Sequence, residues 1–144
     1  MAYYSSETCG YVNNSRVETG CTTDYAQSEV KYAVDAWAAD KFQSIDLSVD
    51  ETGYSARLIT FDELLPNLGY NWSITSQGLG VNPAVNSDVP DWVYNSNYAY
   101  WTMSPDEDSA LDMWGVNNDG VVTTHNVYND NVVRPVVTLL KSAL

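Results

Sequence analysis

The sequence predicts an α+β fold with one long and one short helix packed on small antiparallel sheets with long loops. Three signals support this class: an apolar stripe at helical spacing after Asp24, a strand followed by a helix start before Pro66, and a hairpin signal at Asp119-Gly120. The order helix, strand, short helix, long loops and meander is typical of α+β folds. The 144 residues are enough for a sizeable core, so residues 1–144 are predicted to form one domain.

The long helix is predicted between Asp24 and Phe42. Asp24 and Gln27 have the spacing of a capping box, which satisfies backbone N–H groups at a helix start. The charged residues fall mostly off the apolar stripe, so one face is expected to pack and the other to face solvent. The apolar stripe consists of Val30, Ala33, Val34, Trp37 and Ala38.

A strand over 54–60 and a short helix over 61–65 are predicted next. Thr60 and Glu63 repeat the capping-box spacing, which indicates that a helix begins there. Pro66 follows closely, and proline is a frequent helix stop signal. We therefore expect a helix of little more than one turn.

Loops and an aromatic strand occupy the middle of the chain. Residues 69–90 are rich in Gly, Asn, Ser and Pro and have no sustained period, which predicts a long loop. The run YAYWTM, residues 98–103, is typical of a strand and ends at Ser104-Pro105.

The last third of the chain has the clearest β pattern. Residues 113–116 and 121–124 flank the turn NNDG, and its Asp-Gly dipeptide tolerates the positive φ of a tight hairpin turn. Residues 132–140 are predicted as the third strand of a meander. Pro135 cannot donate a ladder hydrogen bond, so this strand is expected at an edge or bulge.

The charge balance excludes some partner classes. Asp and Glu number 19 against 6 Lys and Arg, so the net charge of -13 repels phosphate backbones and predicts no nucleic-acid partner. No apolar run approaches the roughly 20 residues of a bilayer span, which predicts no membrane insertion by this segment. The acidic excess suits a protein kept soluble outside a cell, and we expect any export leader to lie outside this sequence.

The two cysteines, Cys9 and Cys21, have no further Cys or His nearby to complete a zinc site. A disulfide is therefore predicted, which places the protein in an oxidising compartment. The alternative is a pair of free thiols in a cytosolic protein.

Several segments together resemble a family of bacterial secreted or surface domains, some of them attached behind prepilin-like leaders. The resemblance rests on YYSSETCG, GCTTDYAQSEVKYAVDAW, ARLITFDELLPNLGY, YWTMSP and VNNDGVVTTHNVYNDNVVRPVVTLLKSAL. It implies a C-type-lectin-like fold, distantly similar to the formylglycine-generating-enzyme group and to the variable proteins of diversity-generating retroelements. The sheet-core anchors that it implies are Tyr100, Trp101, Ser104, Pro105, Trp114, Val116, Gly120, Val122, Val127, Val133, Arg134 and Pro135.

Polar and aromatic residues between these anchors are the candidate ligand-binding residues. Tyr offers a large contact area at low rotamer cost, and Asn offers a donor and an acceptor together. The alternative is that the Asn and Asp side chains satisfy turn backbones. The candidates are Tyr94, Asn95, Asn97, Tyr98, Asn117, Asn118, His125, Asn126, Tyr128, Asn129, Asp130 and Asn131.

A calcium site is a further hypothesis, although no cofactor is otherwise expected. Asp106, Asp108 and Asp112 supply carboxylate oxygens of the kind that Ca²⁺ prefers, and the NNDG turn could add more. The alternative is a solvated acidic loop without metal.

The sequence predicts no enzyme. His125 is the single histidine, and no Ser or Cys nucleophile motif lies near it, so a solvated histidine is expected rather than a catalytic one. Formylglycine generation requires active-site cysteines, but Cys9 and Cys21 lie outside the closing motif.

Two arginines, Arg57 and Arg134, sit inside apolar runs and need carboxylate or carbonyl partners there. Asp62 and Glu63 are the expected partners. A structural role is predicted for both arginines, with ligand binding as the alternative.

The functional hypothesis is a noncatalytic extracellular or cell-surface domain, of the adhesin or receptor kind, that binds a protein or glycan. The alternative is a pilin-like structural subunit that self-associates in a surface filament.

Overall fold

The computed structural model describes residues 1–67, the backbone of 73–75 and 78–80, and residues 90–143. The predicted α+β class is confirmed, with two α-helices and small antiparallel sheets in this part of the chain. No helix among the described residues is long and apolar enough to cross a membrane. The elements are β1 (Gly10–Val12), β2 (Ser15–Val17), α1 (Glu29–Lys41), β3 (Ala56–Arg57), α2 (Phe61–Leu64), β4 (Ser73–Thr75), β5 (Gly78–Gly80), β6 (Tyr100–Pro105), β7 (Asp112–Val116), β8 (Val122–Asn126) and β9 (Val136–Val137), with 3₁₀ turns at Tyr25–Gln27, Leu65–Asn67 and Lys141–Ala143.

The long helix α1 begins one turn later than the sequence predicts. Asp24 caps the preceding 3₁₀ turn instead, because its carboxylate accepts from the Ala26 backbone and the Gln27 side chain at 3.0 Å. Ser28 then caps α1 by accepting from the Lys31 N–H at 3.0 Å. Trp37 is more exposed than an apolar stripe member should be, at 36% of its surface, and packs edge-to-face on a neighbouring ring.

The short helix α2 begins as predicted. Thr60 Oγ1 accepts from the Glu63 N–H at 3.2 Å, and a Glu63 carboxylate oxygen accepts from the Thr60 N–H at 2.9 Å. Both halves of the capping box are therefore present. The preceding strand is shorter than predicted, since only Ala56–Arg57 pairs with another strand.

The central sheet has the strand order β4-β5-β8-β7-β6 and is antiparallel throughout. The predicted hairpin forms between β7 and β8, with Asp112 opposite Asn126 and Val116 opposite Val122. Gly120 closes its turn at φ 87°, a conformation in which a side chain is strained.

The predicted third strand over 132–140 does not continue this meander. Val132 runs beside Tyr100 through one parallel bridge, and four residues later Val136–Val137 pairs with β3. Pro135 lies between the two pairings and has no N–H to continue a ladder, which explains the break. The segment therefore links the edge of β6 to a separate small sheet.

Apolar cores pack on both faces of the central sheet. Tyr100 and Trp101 are adjacent in β6 and point to opposite faces, as the pleat requires. On one face of the sheet, Trp101 belongs to a core with Val30 and Val34 of α1. On the other face, Tyr100 belongs to a second core with Leu64 of α2. The indole N–H of Trp101 donates to the Met1 carbonyl at 2.9 Å, so the N-terminal segment closes over the first core.

Arg57 is the buried charge of the fold, with 4% of its surface exposed. Its guanidinium donates to both carboxylate oxygens of Glu63 at 2.6 and 3.0 Å, to Asp50 at 2.8 Å and to the Leu58 carbonyl. Glu63 is therefore a correct prediction, whereas Asp62 is exposed on α2 and is not among these partners. Hydrogen bonds from Thr52 and Arg57 hold the pKa of Asp50 well below its usual range, and bonds from Arg57 lower the pKa of Glu63.

Replacing Arg57 by Met should lower the free energy of unfolding by about 3 kcal/mol, because Asp50 is left as a buried charge without its cation. Both carboxyl pKa values are depressed in the folded state, so their stabilisation is full above about pH 5 and is lost as the pH falls below about 4. Urea unfolding at pH 7 and pH 3 measures both effects. Arg16→Met, which breaks an exposed ion pair, is the matched control and should cost under about 1 kcal/mol. Equal losses in the two variants would contradict the assignment.

Candidate functional site

A disulfide holds the N-terminal hairpin that contributes to the candidate site. Cys9 and Cys21 are bonded as predicted, with their Cα atoms 4.8 Å apart. Between them β1 and β2 form a hairpin that turns at Asn13 and Asn14, which have φ of 51° and 65°. Two successive positive φ values are typical of the tight turns that suit a two-residue hairpin loop.

Tyr128 lies against this hairpin and is fixed by hydrogen bonds. Its hydroxyl donates to Glu18 at 2.7 Å and accepts from the Asn126 amide at 3.1 Å. Arg16 pairs with the same Glu18 carboxylate at 3.0 Å, so the acceptor is itself held in place. Tyr128 therefore has one fixed position at the hairpin surface.

Tyr11 completes this surface. Its ring meets that of Tyr128 edge-to-face, with centroids 5.7 Å apart and planes at 87°, and 71% of its surface is exposed. We call Tyr11, Arg16, Glu18, Asn126 and Tyr128 the Tyr11–Tyr128 face. It presents an exposed aromatic ring beside a carboxylate, a guanidinium and an amide.

Electrostatics keep the Tyr128 hydroxyl neutral. Burial raises the pKa of Tyr128, and the hydrogen bond and negative charge of Glu18 raise it further. The phenol therefore remains a hydrogen-bond donor up to a more alkaline pH than an ordinary tyrosine.

Four other predicted binding residues lie along a neighbouring groove or its rim. Asn129 and Asp130 are exposed in the turn after Tyr128, and Tyr98, Asp130 and Asn131 line an open groove of about 560 Å³ with apolar residues from α1 and the 132–133 segment. Asn131 exposes only 8% of its surface, and its amide nitrogen has no hydrogen-bond partner.

The remaining predicted residues on turns either lie far from the Tyr11–Tyr128 face or form hydrogen bonds within their own loops. Asn117 and Asn118 are at the opposite end of the β7–β8 hairpin from Asn126. The rise per residue of a β-strand places them roughly 15 Å from Asn126. Asn95 accepts from the Asn97 backbone at 2.8 Å, which stabilises a turn.

Tyr94 packs against the second core, although part of its surface is exposed. This contact gives the ring a structural role in addition to any role in binding.

His125 is a packed residue rather than the solvated one expected. Its ring meets Trp101 edge-on at 5.8 Å, and it lies so close to Gly115 that a Cβ there would come within 2.9 Å of its Cδ2. Its Nε2 is buried without a hydrogen-bond partner among the described residues. Burial lowers the pKa of His125, and the negative charge of Asp112 offsets part of this effect by raising it.

The acidic segment forms one wall of an open cleft of about 470 Å³. Asp106 and Asp108 line it together with the rings of Phe61 and Trp114, which are tilted by 38° with centroids 4.7 Å apart. Asp112 is outside its lining. One carboxylate oxygen of Asp106 accepts a hydrogen bond from the Asp108 N–H at 3.0 Å. Within the described residues, no group of three His, Cys, Asp or Glu side chains could hold a metal ion.

Comparisons with known proteins do not identify a relative. No family model, curated protein or solved structure matches the chain. The family resemblance and its implied fold therefore remain hypotheses.

Sequence reasoning missed three members of the Tyr11–Tyr128 face: Tyr11, Arg16 and Glu18. The Asn13-Asn14 pair between two cysteines was a signal of a tight hairpin that presents its neighbours. The hydrogen bond from Tyr128 to Glu18 joins residues that are 110 positions apart, and no local sequence pattern predicts it.

Replacing Glu18 by Gln should lower the pKa of Tyr128 towards the ordinary tyrosine value, because the negative charge is removed and only a neutral amide carbonyl is left to accept from the hydroxyl. NMR titration of ¹³C-labelled tyrosine measures it residue by residue. Glu7→Gln, at an exposed position on the same segment, is the control and should leave this pKa unchanged. An unaltered Tyr128 titration in the Glu18 variant would refute the geometry of the face.

Proposed function

We propose that this chain is a noncatalytic, extracellular ligand-binding domain with a C-type-lectin-like fold, which presents the Tyr11–Tyr128 face to a protein or glycan. One observation carries the proposal. An exposed tyrosine is held edge-to-face against a second tyrosine whose hydroxyl is fixed by Glu18 and Asn126.

Pre-organisation is the reason that this surface suits binding. A side chain that is already immobilised loses little conformational entropy when a partner docks, and tyrosine gives much contact area for two rotatable bonds. The disulfide limits the motion of the hairpin in the same way. A protein loop or a sugar ring could pack on Tyr11 while its polar groups reach Arg16 and Glu18.

The proposed location and fold have separate support. A disulfide suits an oxidising environment outside the cytosol. The C-type-lectin-like fold is supported by the implied sheet-core anchors, several of which are buried: Tyr100, Trp101, Val116, Gly120, Val122 and Val127.

A screen on glycan and protein arrays, with and without chelator, tests the proposal. Tyr11→Ala and Tyr128→Ala should each weaken any binding by tenfold or more, about the effect of losing one aromatic anchor of an interface. Tyr32→Ala is the matched control, since Tyr32 is 81% exposed on α1 and outside the face. Binding that survives both face variants, or that Tyr32→Ala weakens equally, would count against the proposal.

A second candidate function, a pilin-like filament subunit, is favoured by the groove beside α1. Ala33, Ala99, Val132 and Val133 line it, and Val132 is 40% exposed, so a second copy could cover this apolar surface.

If copies associate through the groove, self-association should increase with salt, because each carries a net charge of -13 and screening weakens their repulsion. Analytical ultracentrifugation at low and high salt measures this. Val132→Asp should abolish the association while Val49→Asp, at another exposed valine, leaves it intact. A monomer under all conditions would exclude this function.

A further inference from the structure

Arg134 stands out among the arginines of this acidic chain. Arg16 pairs with Glu18, and Arg57 pairs with two carboxylates. Arg134 makes no ion pair with any carboxylate in the described part of the chain, and its Nη1 is buried without a hydrogen-bond partner. A buried N–H donor of a charged group without an acceptor is costly, so the unpaired Nη1 needs an explanation.

A small cavity lies beside this guanidinium. It has a volume of about 80 Å³ and is lined by Ile59, Trp92, Tyr100, Arg134, Pro135 and Val136. We call these residues the Arg134 pocket. This volume suits a small group such as a carboxylate.

The walls of the pocket make Arg134 its polar centre. The guanidinium stacks on the Tyr100 ring at 4.3 Å, which holds it in place. The Tyr100 hydroxyl donates to the Val93 carbonyl and faces Arg134 with its oxygen lone pairs, whereas Nη1 of Arg134 keeps a free N–H donor. The remaining lining residues are apolar, and apolar walls strengthen an ion contact because they lower the local dielectric.

Trp92 gives the pocket an apolar rim, with 41% of its surface exposed. Tyr100 belongs to the second core, on the opposite side of the sheet from the core that Tyr128 packs against. The pocket is therefore separate from the Tyr11–Tyr128 face and goes beyond the function proposed there.

We propose that the Arg134 pocket binds the carboxylate of a ligand that carries an aromatic or aliphatic group next to it. The carboxylate accepts from the guanidinium of Arg134, and the apolar group packs on the indole of Trp92. Free carboxylic acids and peptide C-termini share this chemistry.

Phenylacetate and its neutral isostere phenylacetamide are the test probes, followed by ¹H–¹⁵N NMR at pH 7 and constant salt. Saturable shifts of the Arg134 Nε–H and Trp92 indole signals are expected with phenylacetate alone. Arg134→Lys should weaken binding by about tenfold, since the ammonium lacks the planar fork. Equal shifts with the amide, or shifts that never saturate, would overturn the proposal.

Trp92→Ala keeps the test valid if the Arg134 variant does not fold. It should weaken phenylacetate binding several-fold and leave acetate binding unchanged, whereas Trp37→Ala, at a comparably exposed tryptophan on α1, should change neither. Unchanged phenylacetate affinity in a folded Trp92→Ala protein would contradict the assigned pocket.

A peptide with a free C-terminus, compared with its amidated form, distinguishes the two ligand sources. Tyr11→Ala should leave phenylacetate binding unchanged, so failure of the binding face and failure of this pocket give different results.

Discussion

The ion pairs of Arg57 connect three parts of the chain that are distant in sequence. Its guanidinium joins the loop at Asp50 to the start of α2 at Glu63, and Asp50 also accepts from the Thr138 hydroxyl. In the small sheet, Arg57 lies opposite Val136 of the C-terminal segment. The buried cation and its two carboxylates therefore help to position that segment, which also forms the walls of the Arg134 pocket, together with backbone hydrogen bonds such as that from the Thr138 N–H to the Ser55 carbonyl.

Local chemistry explains which parts of the fold could be predicted from the sequence. The Thr60 capping box, the Asp119-Gly120 hairpin turn and the Cys9–Cys21 pair each depend on residues close together in the chain. Their geometry is set by backbone conformations that few residue types favour. Competition between neighbouring caps shifted one boundary, since both Asp24 and Ser28 can start a helix.

The parts that could not be predicted depend on contacts between distant residues. The return of Val136–Val137 to β3, rather than to β8, follows from tertiary pairing that a hydrophobic run does not encode. The candidate site shows the same limit, because Tyr128 was found from its own segment while its acceptor Glu18 lies near the other end of the chain. Asn117 and Asn118 were grouped with Tyr128 on residue type and on their position between the implied sheet-core anchors, and a strand length separates them.

The hairpin tip at Asn13 and Asn14 is exposed, and the bonded cysteines close the chain on either side of it. A loop that is closed at its base by a disulfide tolerates insertions at its far end, because the entropic cost of a longer loop grows slowly and no core contact is lost. This tip is therefore the place where foreign peptides can be grafted, and where natural sequences can diverge, without disturbing the scaffold beneath.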